Sequence, residues 1–171
     1  MYNKNMIKEI IQRGNDLLKK VSLPVSEEEF NTPKLSELLS HMHDTLAKEK
    51  DGVALAAPQI AVNKRIFVVA PFVYKKQEDA PLVYINPEII KTSRRTKTME
   101  EGCLSVRPWY GKTKRHSHAT VRAFDEHGNV FERGGSKLLA QIFQHEIDHL
   151  DGILFSDHAT DLEEIEISKH E

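Results

Sequence analysis

Cysteine occurs once in the 171 residues, at position 103, which excludes a disulfide within the chain. That agrees with a reducing compartment and leaves the lone thiol to be explained. Long apolar runs are missing too. Nothing approaches the roughly 18 apolar residues of a membrane span, and the opening MYNKNMIKEI has neither an apolar signal core nor an Arg/Ser-rich amphipathic stretch. A cytoplasmic location with no membrane partner is expected. Neither sign of charge dominates: 24 Lys and Arg face 26 Asp and Glu, for a formal net charge of −2. This gives no global reason to bind DNA or anionic lipid. Repeats and low-complexity linkers are also absent, so the chain is expected to form one domain over residues 1–171, with a core to 158 and a short acidic tail over 159–171. A monomer is the expected state.

What the chain does have is a succession of short β-like runs interrupted by two helical ones. Leu35, Leu38, Leu39, Met42 and Leu46 recur at helical spacing, with Thr32 as cap, Pro33 in the first turn and Gly52 past the end. Strands are expected over Arg65 to Ala70, Leu82 to Asn86 and Thr98 to Val106, and a hairpin over Ala119 to Glu132 turning near His127-Gly128-Asn129. Gly134-Gly135 then leads to Ser136, the expected cap of a second helix ending near Leu150. The pattern predicts an α+β fold, with small mixed or antiparallel sheets packed around that late helix and the earlier amphipathic helix outside.

The late helix carries the chemistry. On a helical wheel Leu139, Ile142, Phe143 and Leu150 share one face, with Lys137, Gln141, Gln144 and Asp148 roughly opposite. Glu146 falls in the middle of the apolar face, where an unpaired carboxylate loses several kcal/mol of solvation. His145 and His149, one turn apart, stack along the edge of that face and can meet one metal ion, completing an HExxH pattern. Such a site needs a third protein ligand. HExxHxxGxxH fails because its last position is Phe155, and Glu163, Glu164 and Glu166 follow too closely and lie on no long helical run. The ligand must come from upstream, and Cys103, beside Gly102 on an expected strand, is the best candidate.

With GVALAAPQ (Gly52 to Gln59), INPE (Ile85 to Glu88), EGCLS (Glu101 to Ser105) and QHEIDHL (Gln144 to Leu150) in this order, the chain resembles the peptide deformylases. The resemblance extends over nearly all of its length. It implies a hydrolase that removes the formyl group from the N-terminal formylmethionine of nascent polypeptides. By this resemblance Cys103, His145 and His149 bind a divalent metal, iron(II) first, with zinc, nickel or cobalt as alternatives, and water in the fourth position attacks the formyl carbon. Glu146 is then the general acid/base, and Gln59 with the backbone N–H of Leu104 faces the oxyanion. Val53 and Gly102 pair with an extended peptide, Leu138 and Ile142 line the methionine pocket, and Tyr110 walls the groove. The chain carries Ala54 where the family has glycine.

The basic stretch after EGCLS, with Arg107, Lys112, Lys114 and Arg115, reads as a solvated hairpin face, though it leaves room for a transient ribosome contact; the acidic tail is a poor anchor for one. The rival functions are a metallopeptidase resting on HExxH alone, a thiol hydrolase using Cys103 with His145 as base, and a non-catalytic relative that binds nascent chains. The last has no need of a carboxylate on an apolar face.

Overall fold

The computed structural model describes residues 6–76 and 80–165. Its first long helix, α1 (Pro33–Lys48), is capped by the Thr32 side chain, which accepts from the N–H of Leu35, and has Pro33 in its first turn. Eight strands follow or flank it: β1 (Ala54–Ala56), β2 (Ile66–Val69), β3 (Val83–Thr92), β4 (Thr96–Gly102), β5 (Trp109–His116), β6 (His118–Phe124), β7 (Val130–Ser136) and β8 (Thr160–Glu164). The second helix, α2 (Lys137–Leu150), follows β7 directly. The fold is α+β, with two α-helices and antiparallel sheets among the described residues. One sheet has the order β1-β2-β3-β6-β7, and the other has the order β4-β5-β8.

The run IFVV explains how the layers stack. Both faces of β2 are buried, so it reads as continuously apolar instead of alternating. Ile66 and Val68 pack with Leu35, Leu39, Met42 and Leu46 of α1. Phe67 and Val69 turn the other way and join Ile142, Phe143, Ile147 and Leu150 of α2. The five-stranded sheet thus separates the two helices, and α2 also meets the three-stranded sheet through polar bonds.

That second sheet corrects the wheel. Gln141 and Gln144, on the side opposite the apolar face, are both buried. Gln141 Nε2 donates to the carbonyl of Glu100 (2.8 Å), while Gln144 accepts from the N–H of His116 (2.8 Å) and donates to its carbonyl (3.0 Å). A helix enclosed by two sheets has interior polar faces, which periodicity alone reads as surface.

Other expectations also change. The strand drawn to Val106 ends at Gly102, so Cys103 lies on the turn that follows it. Ser136 occupies the N-cap position with extended backbone, but its side chain makes no capping bond. β7 passes into α2 without a loop, and a Cβ on Gly135 would lie 2.8 Å from Leu139 Cγ, so this junction requires glycine. Past Arg107 the basic stretch is β5, where Lys112 and Lys114 are exposed as expected of a solvated face but Arg115 is buried. Within the expected tail, β8 pairs its Glu164 and Glu163 with Trp109 and Tyr110 of β5, and all of its residues are exposed; the tail after residue 165 lies outside the described residues. No helix among the described residues is long and apolar enough to cross a membrane.

Candidate active site and metal centre

α2 and the turn after β4 converge on one point. Cys103 Sγ lies 3.2 Å from His149 Nε2, and the ligand-capable atoms of Cys103, His145 and His149 all lie within 4.8 Å of one another. A tetrahedral ion with bonds of about 2.0–2.3 Å spaces its ligands on this scale. His145 turns Nδ1 to Glu101 Oε1 (2.5 Å), which leaves Nε2 toward the cluster. One thiol, two imidazoles and a carboxylate behind the first imidazole make a donor set that fits a divalent metal. Burial holds His149 well below its ordinary pKa, in the neutral form that coordinates.

Glu146 is buried beside them, 4.0 Å from His145 Nε2, and its Oε2 has no hydrogen-bond partner among the described residues. Burial, more than any neighbouring charge, pushes its carboxyl up to about 7. Gln59 is held at the other side. Its Oε1 accepts from the N–H of Ala56 (2.9 Å), and its Nε2 donates to Ser105 Oγ (3.1 Å) and lies 3.6 Å from Cys103 Sγ. Above these groups is a cavity of about 210 Å³. Val53, Ala54, Gln59, Gly102, Cys103, Leu104, Tyr110, Leu138, Ile142, His145 and Glu146 all line it, with His149 behind. Phe155 is buried and faces the His145 ring with centroids 6.3 Å apart, so an apolar ring fills the place that a third histidine would need.

A family model described as Polypeptide deformylase matches residues 7–164. The chain belongs to the polypeptide deformylase family. A peptide deformylase of Hydrogenovibrio crunogenus is 41% identical over 154 residues, which cover 90% of this chain and 86% of that one. The crystal structure of a deformylase from Legionella pneumophila superposes with TM-score 0.81 at 38% identity, covering 91% of this chain and 87% of that one. A Met-Ala-Ser-bound class I type b deformylase from Acinetobacter baumannii gives TM-score 0.79 at 37% identity, covering 89% and 98%. This chain is accordingly an enzyme of the deformylase family, whose members act on formylated nascent peptides.

Sequence reasoning missed several residues around this deformylase site. Glu101 is the hub: it accepts from His145, from Arg115 Nη2 (2.5 Å) and Nε (3.1 Å), from Thr113 Oγ1 (2.6 Å) and from Gln141 Nε2 (3.2 Å). Burial alone would raise its carboxyl, but the bonds from His145 and Arg115 outweigh that and hold it well below the carboxylate range. Arg115 also pairs with Asp148 (2.6 Å), tying β5 to α2. Arg107 lines the cavity and pairs with Glu49 (2.9 Å) and with Asp51 (3.1 Å), which also lines it. An apolar-strand parity count could have found Glu101, since Glu101 alternates with the exposed Glu100 on β4. Nothing local marks Arg115 or Arg107.

Proposed function

We propose that this chain removes the formyl group from N-terminal formylmethionine by a metal-assisted hydrolysis, with Cys103, His145 and His149 holding the ion. The observation that carries the reading is the convergence of those three side chains at a cavity lined by the buried carboxylate of Glu146, whose Oε2 has no partner among the described residues. The ion that the resemblance favours is iron(II), with zinc, nickel or cobalt able to suit the same donors. When bound, such an ion would supply Lewis acidity toward water and the formyl group. Glu146 takes the proton from the attacking water and later gives it to the leaving amine, a cycle suited to a carboxyl poised near 7. The Gln59 amide and the backbone N–H of Leu104 face the negative charge that develops on the formyl oxygen.

The substrate grip follows from the sheet order. β1 and β4 are both edge strands, and residues of both border the cavity. An extended peptide can lie between them as added β-structure, almost independently of its side chains. The carbonyl of Val53 is already taken by the N–H of Ala70 (2.8 Å), so the peptide uses the remaining groups of the β1 edge together with Gly102 on β4. Leu138, half-exposed, and Ile142, buried, line the place for the methionine side chain, with Tyr110 as the wall. A Cβ on Gly102 would lie 2.4 Å from Tyr110 Cε1, so glycine there lets the ring cross the strand. The Met-Ala-Ser held by the A. baumannii relative supports a groove of this kind. We place the activity in the cytoplasm, where nascent chains form. With Arg115 buried and Arg107 paired, a transient ribosome contact through the stretch from 107 to 115 would rest on the exposed Lys112 and Lys114.

Turnover of formyl-Met-Ala-Ser against its unformylated counterpart tests the reading; cleavage of internal peptide bonds instead would favour a metallopeptidase. Alanine at Cys103, His145 or His149 is expected to remove most bound metal, measured by atomic absorption on the purified variants. Full occupancy in Cys103→Ala overturns the ligand assignment.

Ala54 yields a separate prediction. It lies in β1 opposite Val69, is absent from the residues with positive φ, and packs with Phe67 and Val69 while bordering the cavity. A backbone need for glycine is therefore excluded, leaving close approach of the peptide. Ala54→Gly is expected to lose about 0.5–1 kcal/mol of stability, as glycine does in a strand. Its kcat/KM should rise by up to about fivefold, the effect of one methyl in a groove. A variant with a higher melting temperature and unchanged kcat/KM contradicts this account.

A further inference from the structure

The two groups assigned to the oxyanion come from different sheets. Gln59 sits on the short turn Ala57–Ile60 that follows β1, and Leu104 on the turn that follows β4. The Gln59 side chain joins them directly, through bonds from Nε2 to Ser105 Oγ and to Cys103 Sγ. A second connection comes from the N-terminal segment Ile10 to Arg13. The N–H of Ile11 donates to the carbonyl of Gln59 (2.9 Å), and the N–H of Arg13 donates to the carbonyl of Ser105 (2.7 Å). Between them the Gln12 side chain donates from Nε2 to the carbonyl of Leu104 (2.9 Å) and accepts at Oε1 from the N–H of Arg107 (3.4 Å). Three consecutive residues thus bond to both turns, one to the first and two to the second.

Apolar anchors hold this segment in place. Ile10 packs against the cluster that includes Ala57, Ile60 and Leu104, and Ile11 against the one that includes Val106, Leu154 and Phe155. Consecutive side chains entering two separate clusters fix the segment against rotation as well as sliding. The Gln12 amide can then hold the Leu104–Ser105 peptide plane, whose own N–H donates to Cys103 Sγ (3.4 Å), and through the shared Cα of Leu104 it restrains the preceding plane that carries the Leu104 N–H.

We propose that Gln12 is a positioning residue for the deformylation reaction, and that residues 10–13 act as a strap that sets the separation of the Gln59 and Leu104 donors. The inference rests on the oxyanion roles given above. Donors aimed at developing charge act mainly in the transition state, so a small misplacement lowers kcat and leaves KM nearly unchanged. The strap's side of the site is marked by no motif, and Gln12 itself is exposed. Its importance is visible only through what it bonds.

The test uses Gln12→Glu and Gln12→Lys in the metal-loaded enzyme with formyl-Met-Ala-Ser. Gln12→Glu keeps an acceptor for the N–H of Arg107 but turns a carboxylate oxygen toward the carbonyl of Leu104. We expect its kcat to fall about tenfold with KM within about twofold, as for a mispositioned donor. Gln12→Lys can still donate to Leu104 and should retain a clearly higher kcat than Gln12→Glu. Affinity for the product Met-Ala-Ser, measured by calorimetry, should be nearly equal in the two variants. Wild-type kcat in Gln12→Glu overturns the proposal, as does an equal loss in both variants that tracks their melting temperatures. A wild-type enzyme inactive on the formyl peptide is a different result, because it rejects the deformylase reading and not the strap alone.

Discussion

Glu146→Gln is expected to keep its fold and its metal while losing at least about a hundredfold in turnover, the scale of removing a positioned general acid/base. Glutamine matches glutamate in volume, and Glu146 belongs to no metal-ligand group in the structure, so neither packing nor coordination has reason to change. Only Oε2 of this carboxyl lacks a partner, and a neutral amide of the same shape meets a similar desolvation cost, so the melting temperature should stay about level. What disappears is the ability to take up and release a proton near neutral pH, which the burial of this carboxyl supplies. Turnover of formyl-Met-Ala-Ser, with atomic absorption on the same preparation, checks both halves. Near-normal turnover rules out Glu146 as the proton carrier, and loss of metal in this variant would reassign it as a ligand.

The parts of the site that could be read from sequence are those whose signal is local. His145, Glu146 and His149 sit within five residues of one helix, so their common direction follows from helical spacing. Cys103 follows by elimination, and Gln59 and Leu104 from motif resemblance; each lies within a short motif whose spatial neighbours need not be known. Residues defined by partners far along the chain were read wrongly or passed over. Arg115 looked like one cation among four on a hairpin, because its carboxylates are 14 and 33 residues away. Gln141 and Gln144 fall opposite the apolar face of the wheel, and nothing near them in the chain shows that their partners, at Glu100 and His116, belong to the second sheet. Gln12 bonds to Leu104, 92 residues on. The same reasoning explains the fold. β2 and the β6–β7 hairpin follow from their own residues, whereas the addition of β8 to β5 depends on pairing that exposed acidic residues do not announce.

Arg115→Ala is expected to cost about 3–5 kcal/mol of stability, the range for removing one partner of a buried ion pair. The Glu101 and Arg115 side chains are 3% and 6% exposed, so the carboxylate left behind cannot recover its hydration. The variant also loses the bond to Asp148, and with it a direct link between β5 and α2. Lysine should not restore the site, because one ammonium cannot reproduce a guanidinium that reaches both Glu101 oxygens and Asp148. A loosened Glu101 holds His145 less firmly, so the variant should also release its metal more readily to a chelator. The acid limb gives an independent check. Because the Glu101 carboxyl is held below its ordinary value of 4.5, its contribution is present above that pH and is lost as the pH falls below it. Without Arg115 the depression shrinks, so less stability remains to be lost on acidification and the difference between the two proteins should narrow at low pH. Urea unfolding of wild type, Arg115→Ala and Arg115→Lys at neutral and acid pH, paired with chelator-release rates, measures all of this. A loss below about 1 kcal/mol at neutral pH with unchanged metal release would mean that solvent reaches Glu101 and that the network does not support the first metal ligand.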